Sequence, residues 1–233
     1  MSEPRIIAAG GAMLVPEGDA RLERYVLDAT GEPRPRVCFV PTASGDDAGY
    51  VARFHETYGR FGVELGVLRF FRRTPGDLGD YLASFDVVHV GGGNTRSMLA
   101  VWREHGFEAV LREAWLGGTV LCGSSAGSIC WFASGLTDST AGPLAPMSAL
   151  GFLTGSHCPH YDGEAERRPA YRAAVAAGRL APGLACDDGA ALDFVGEELS
   201  AVVSAKPAAR AYRVDPGTTG TAVETPLEPC ILK

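Results

Sequence analysis

Apolar residues in the first half of the chain gather into short, nearly unbroken runs separated by amphipathic stretches. The runs Arg5–Ala9, Val37–Pro41, Glu64–Phe71, Val87–Val90 and Thr119–Cys122 are rich in Val, Ile, Leu or Phe. Most of them end in Gly, Pro or Ser, as strands covered by helices on both faces tend to. Between them, Tyr50–Phe61, Thr95–His105 and Phe107–Trp115 mix polar and apolar residues in a helical pattern. In the last, Phe107, Val110 and Leu111 stand at i, i+3 and i+4 and share one helical face. This alternation predicts an α/β fold, a three-layer sandwich whose central, mostly parallel sheet lies between helices.

Beyond Phe132 the pattern changes. Ser134–Pro159 is rich in Gly, Ser, Thr and Pro and predicts a long, shaped surface segment. Glu164–Leu180, rich in Ala and Arg, predicts a helix. Leu184–Phe194, Glu198–Ala205 and Ala211–Val214 predict short strands with tight turns such as Asp215-Pro216-Gly217. No repeat and no disordered linker interrupts the chain, so a single domain over residues 1–233 is expected.

Composition narrows the class of partner. A chain of 233 residues can build one α/β domain with a full core and is short for two. Its net charge of −7, with no basic block, argues against nucleic acid or an anionic membrane surface. No apolar run is long enough to cross a bilayer, and Met1-Ser2-Glu3-Pro4-Arg5 lacks a basic leader with a long apolar core. A cytoplasmic location is the expectation. Cys38, Cys122, Cys130, Cys158, Cys186 and Cys230 are scattered and read as small buried hydrophobes of a reducing compartment.

Candidate chemistry centres on Ser125. Gly123-Ser124-Ser125-Ala126-Gly127 follows the apolar run Thr119–Cys122, and Ser128-Ile129-Cys130-Trp131-Phe132 reads as the first turns of a buried helix. Strand, glycine-flanked serine and helix together describe a nucleophile elbow, with a plain Gly/Ser turn as the competing reading. A serine hydroxyl needs a base, and histidine is the usual one near neutral pH. Only His157 and His160 follow the elbow. His55 and His105 fit exposed helix positions, and His89 fits a satisfied sheet position. The His157-Cys158-Pro159-His160 spacing could suggest a metal, but no second His/Cys cluster completes a ligand set, so neither metal nor cofactor is expected.

Chain order separates this protein from ordinary α/β-hydrolases, whose histidine comes last. Here the last histidine is His160, and an apolar run Gly183–Cys186 ends later in Asp187-Asp188-Gly189. An acid orienting His160 is expected there, at one of the two carboxylates Asp187 and Asp188, with Asp138 as the fallback. Val90-Gly91-Gly92-Gly93-Asn94-Thr95 ends one strand and opens a helix. The lack of a following Lys-Ser/Thr argues against a phosphate loop, and the glycines suit an oxyanion hole formed by the N–H groups of Gly92 and Ala126.

Gly91-Gly92-Gly93-Asn94, Ser125-Ala126-Gly127, Pro159-His160-Tyr161 and Asp188-Gly189, in this order, resemble the peptidase E family of serine peptidases, the aspartyl dipeptidases, with cyanophycinases as relatives. The likeness covers roughly Arg5 to Ala205. It implies a fold similar to class I glutamine amidotransferase domains, with Ser125 as nucleophile, His160 as base and Asp188 as orienting acid. The family's founding members carry a glutamate where Asp188 stands. The resemblance further implies that Asn94, Tyr161 and an arginine, best matched by Arg168, contact substrate. The implied activity is removal of N-terminal residues from short peptides, with a preference for aspartate. A broader short-peptide peptidase, or a cyanophycinase-like isopeptide hydrolase, is the alternative. A cysteine enzyme using Cys122 and a non-catalytic binding protein are the remaining rivals. Short peptides are the expected partner, and a homodimer is left open.

Overall fold

A computed structural model describes residues 3–15, 18–218 and 220–233. Arg5–Ala9 (β1), Arg36–Val40 (β2), Glu64–Val67 (β3), Val87–Val90 (β4) and Val120–Ser124 (β5) form a parallel array. The intervening helices are Arg21–Asp28 (α1), Ala48–Gly59 (α2), Leu78–Leu82 (α3), Thr95–Glu104 (α4) and Phe107–Leu116 (α5). The predicted run Glu64–Phe71 stops being a strand at Val67, and α1 and α3 join the three helices that the pattern predicted.

The central strands of this array are buried on both faces. Ile7, Val37, Phe39, Val87 and Cys122 pack with Leu22 and Val26 of α1 and Phe54 and Tyr58 of α2. The alternate residues Ile6, Cys38, Val40, Val88 and Leu121 pack with Leu82 of α3, Trp102 of α4 and Leu111 of α5. Outward crossovers thus lie on one face and returning ones on the other, as right-handed connections require. The result is mostly parallel and helix-covered, in agreement with the α/β pattern of the sequence.

After β5 the chain departs from that pattern. Ala126–Ile129 (α6) is a single helical turn, not the start of a longer helix, and Phe132–Thr137 (β6) leaves it as a strand. Ala145–Ser148 (β7) and Leu153–Cys158 (β8) follow, so most of the expected surface segment is a sheet. Pro146 is tolerated because β7 is an edge strand, where a missing N–H costs little. Arg167–Ala176 (α7), Gly183–Cys186 (β9), Ala190–Val195 (β10), Glu198–Ser204 (β11), Ala211–Pro216 (β12), Ala222–Leu227 (β13) and Cys230–Ile231 (β14) complete the order.

Among the described residues the strands form two sheets. The eight-stranded sheet runs β14-β11-β10-β1-β5-β4-β2-β3, and the six-stranded sheet runs β13-β12-β9-β8-β6-β7. Phe132, Leu153, Leu184 and Cys186 of the smaller sheet share a core with the α3–α5 face of the larger one. The opposite side of the smaller sheet packs on Tyr171, Ala174 and Val175 of α7. Among the described residues no helix is long and apolar enough to cross a membrane.

Candidate active site

The carboxyl ends of parallel strands are where open α/β sheets bind ligands, and Ser125 sits at the end of β5. Its φ of 57° and ψ of −120° lie in a region that L-residues rarely occupy, at a typical cost of about 1–3 kcal/mol. The close approach of β4 holds it there. A Cβ on Gly127 would lie 2.1 Å from the Val90 carbonyl oxygen, and one on Gly123 would lie 2.4 Å from the same atom. Only glycine fits on either side of this elbow.

The Gly91–Gly93 loop leaves β4 beside it. A Cβ on Gly92 would stand 3.2 Å from Ser125 Cβ and 3.7 Å from Oγ, so this main chain faces the Ser125 side chain. At Gly92, the expected donor, the N–H is given to the Tyr50 hydroxyl at 3.1 Å. Tyr50 reaches the loop from α2 and packs edge-on against Phe39 at 5.1 Å.

The histidine arrives from the smaller sheet. His160 follows β8, adopts a φ of 53° and donates its N–H to the Gly10 carbonyl at 3.1 Å. Ala9 pairs with Ser124 across β1 and β5, so Gly10 and Gly11 run alongside the elbow. His160 Nδ1 donates to Asp188 Oδ1 at 2.7 Å. A Cβ on Gly11 would fall 2.0 Å from that oxygen and 2.7 Å from the ring, which makes Gly11 part of the seat. Asp188 is fixed in turn by its N–H, which donates to Asp162 Oδ1 at 2.8 Å. The hydrogen bond from His160 holds the Asp188 carboxyl below the ordinary carboxylate value, against burial, and the charges of Lys206 and Arg167 add to it. Among the described residues no hydrogen bond joins Ser125 Oγ to the His160 ring; bonds of this kind tighten when substrate closes a site.

The alternative acids point elsewhere. Asp187 Oδ2 accepts the Arg210 N–H at 2.9 Å and the Tyr212 hydroxyl at 3.4 Å, and burial raises its carboxyl. Asp138 lies 3.5 Å from the Arg167 guanidinium. His157, the other histidine near the elbow, is fully buried between the Leu184 carbonyl at 3.0 Å and Ser128 Oγ at 3.1 Å. It stacks on Phe132 with ring centres 4.6 Å apart. Cys122 is buried in β5, and burial pushes its thiol up, away from the thiolate that a nucleophile requires.

The side chains of Asn94, Tyr161 and Arg168, implied as substrate contacts, all have internal partners. Asn94 caps α4 through Ser97 N–H at 2.8 Å and donates its amide to the Ser139 carbonyl at 2.9 Å. Tyr161 is buried and gives its hydroxyl to Glu224 at 2.5 Å. Arg168 lies over the Tyr161 and Tyr212 rings, and Glu224 fills its guanidinium fork, with one of the two bonds at 3.2 Å. Its neighbour Arg167, which the motif reading passed over, is buried, donates to Glu164 at 2.6 Å and to the Leu136 carbonyl at 3.1 Å, and acts electrostatically on Asp188. Nothing in the sequence ranks one of these adjacent arginines above the other until the docking of α7 decides which is buried.

Burial lowers both His89 and His157 to about 3, so both are neutral in the folded protein. An unfolded histidine takes up a proton below about pH 6.5, and these two do not while the chain is folded. Stability should therefore be full above pH 6.5 and fall as the pH drops towards 3. The loss at pH 4.5 is about 2–3 kcal/mol per histidine. Urea unfolding at pH 7 and 4.5 measures this, and an unchanged free energy would refute the neutral assignment.

A strand-end serine in a strained turn, beside a paired histidine and aspartate, is the arrangement of acyl-transferring hydrolases. The chain belongs to peptidase family S51, whose model matches residues 6–202. It is 47% identical over 211 residues to the "Uncharacterized peptidase YgaJ" of Bacillus subtilis (strain 168), covering 90% of this chain and 91% of that protein. Its fold is similar to a peptidase from an acI-B1 Actinobacterium, with a TM-score of 0.70 and 14% identity over 97% of this chain and 95% of that one. It is also similar to a putative peptidase E protein from Listeria monocytogenes EGD-e, with a TM-score of 0.61 and 16% identity over 97% of this chain and all of that one.

Proposed function

We propose that this S51 peptidase is a serine enzyme that cleaves short peptides from the N-terminus, with Ser125, His160 and Asp188 as its triad. The observation that carries the reading is the 2.7 Å His160–Asp188 pair, seated on Gly11 beside the elbow. With Nδ1–H given to Asp188, Nε2 is the free acceptor that takes the Ser125 proton. Ser125 Oγ then attacks the peptide carbonyl. The oxyanion meets the Ala126 N–H and that of Gly93, which has no internal partner among the described residues. His160 returns the proton to the leaving amine, and water releases the acyl group by the reverse steps.

Preference for N-terminal aspartate depends on an arginine free to receive it, and Glu224 occupies the fork of Arg168. The broader short-peptide peptidase is therefore the reading we favour. Peptide pairs differing only in N-terminal Asp or Asn should be cleaved with kcat/KM values within about tenfold of each other, less than a desolvated charged pair provides. A preference for Asp above a hundredfold would restore the aspartyl reading.

The Tyr50 hydroxyl anchors the Gly92 N–H, one peptide unit before the Gly93 N–H. Tyr50→Phe should lower kcat about tenfold at nearly constant KM, less than loss of a whole oxyanion donor. A change confined to KM would show that Tyr50 shapes the binding pocket instead.

A further inference from the structure

Beyond the oxyanion loop, between α4 and β7, lies an open cavity of about 510 Å³. Ligand sites commonly have this size. Leu99 and Met147 supply apolar lining, Ser139 and Thr140 supply hydroxyls, and Arg96 and Arg103 bring two cations. Among the described residues neither guanidinium has an ion-pair or hydrogen-bond partner. The carboxylate between Thr137 and Ser139 does not neutralise them, because Asp138 is turned onto Arg167 at 3.5 Å.

The cavity begins where the oxyanion loop ends. Asn94 follows Gly93 directly and donates to the Ser139 carbonyl at 2.9 Å. The Arg96 N–H donates to Ser139 Oγ at 3.2 Å. Arg103 stands seven positions further along α4, about 10 Å at 1.5 Å per residue. An extended peptide advances about 3.3–3.6 Å per residue, so that interval corresponds to roughly three residues. β7, on the other wall, is a sheet edge whose outer rim can pair with an extended chain.

We propose that this cavity receives the leaving end of the substrate, and that Arg96 and Arg103 bind its terminal carboxylate. The inference rests on the reading of Ser125 as a nucleophile acting on short peptides. A free α-carboxylate is the anion that every such leaving peptide carries, and guanidinium groups bind carboxylates in a planar, two-bond geometry. Arg96 serves the shortest substrates, and Arg103 serves those about three residues longer. The pair thereby sets an upper limit on length.

The test compares free-acid and C-terminally amidated forms of the same dipeptides to hexapeptides. The parent enzyme should favour the acid by about tenfold or more in kcat/KM, expressed mainly in KM, as loss of a charge-assisted contact would predict. In the Arg96→Ala/Arg103→Ala double variant that ratio should fall towards one. A parent ratio near one, or a ratio that survives the double substitution, overturns the proposal. Calorimetric binding of the same pairs to Ser125→Ala gives a readout without turnover, and tighter binding of the acid is expected. Acid-selective binding without turnover by the parent would uphold the cavity and remove the peptidase reading. Turnover indifferent to amidation would do the reverse.

Discussion

Ser125→Ala should fold like the parent protein and lose on the order of 10⁴-fold or more of its peptide hydrolysis. The two halves of that expectation have separate causes. Alanine keeps the β-carbon, so it inherits the φ of 57° and its strain, and the thermal midpoint should move by only a few degrees. The hydroxyl, by contrast, is the only atom lost, and with it goes the acyl-enzyme route. Residual rate would come from substrate held against the Ala126 and Gly93 amides. Steady-state kinetics beside circular-dichroism melting measures both, and a serine-reactive phosphonate should label the parent but not the variant. A variant with near-normal hydrolysis would remove Ser125 from the mechanism.

Asp188→Asn is expected to be nearly as damaging, about 10⁴-fold in kcat at almost unchanged stability. The amide would present a donor to His160 Nδ1, where a carboxylate accepts at 2.7 Å. The ring would then carry its proton on Nε2 and could no longer take one from Ser125. Asp188→Glu tests the spacing instead. Gly11 and Gly163 close over the carboxylate so tightly that a Cβ on them would lie 2.0 Å and 2.5 Å from its oxygens. A glutamate must push against both, so an intermediate loss is expected. Should Asp188→Asn retain activity within tenfold of the parent, another carboxylate orients the base.

The central strands were legible because they are buried on both faces and write themselves as unbroken apolar runs. β1 and β4 coincide with the predicted Arg5–Ala9 and Val87–Val90. β6 to β8 were not legible: Ser134, Gly135, Pro146 and Ser148 look like loop residues, and they are strand residues because of partners outside the local window, such as Ser148 for Ser134 and His157 for Gly135. At the site, Ser125, His160 and Asp188 each announce themselves through local glycine, proline or strand context. Gly11 does not. Its requirement comes from the ring and carboxylate that fold over it, contributed by residues some 150 and 177 positions later. The engagement of Arg168 by Glu224 was equally invisible, since α7 and β13 meet only through the packing of the second sheet.

Ser125 stands where the chain leaves the larger sheet for the smaller one, and Asp188 stands where it returns, between β9 and β10. On the proposed mechanism, turnover therefore reports the mutual seating of the two layers. A slight loosening of their shared interface would separate Ser125 from His160 while each layer kept its own ladder of hydrogen bonds. On gentle heating or in dilute denaturant, silence of the enzyme should precede any spectroscopic sign of melting.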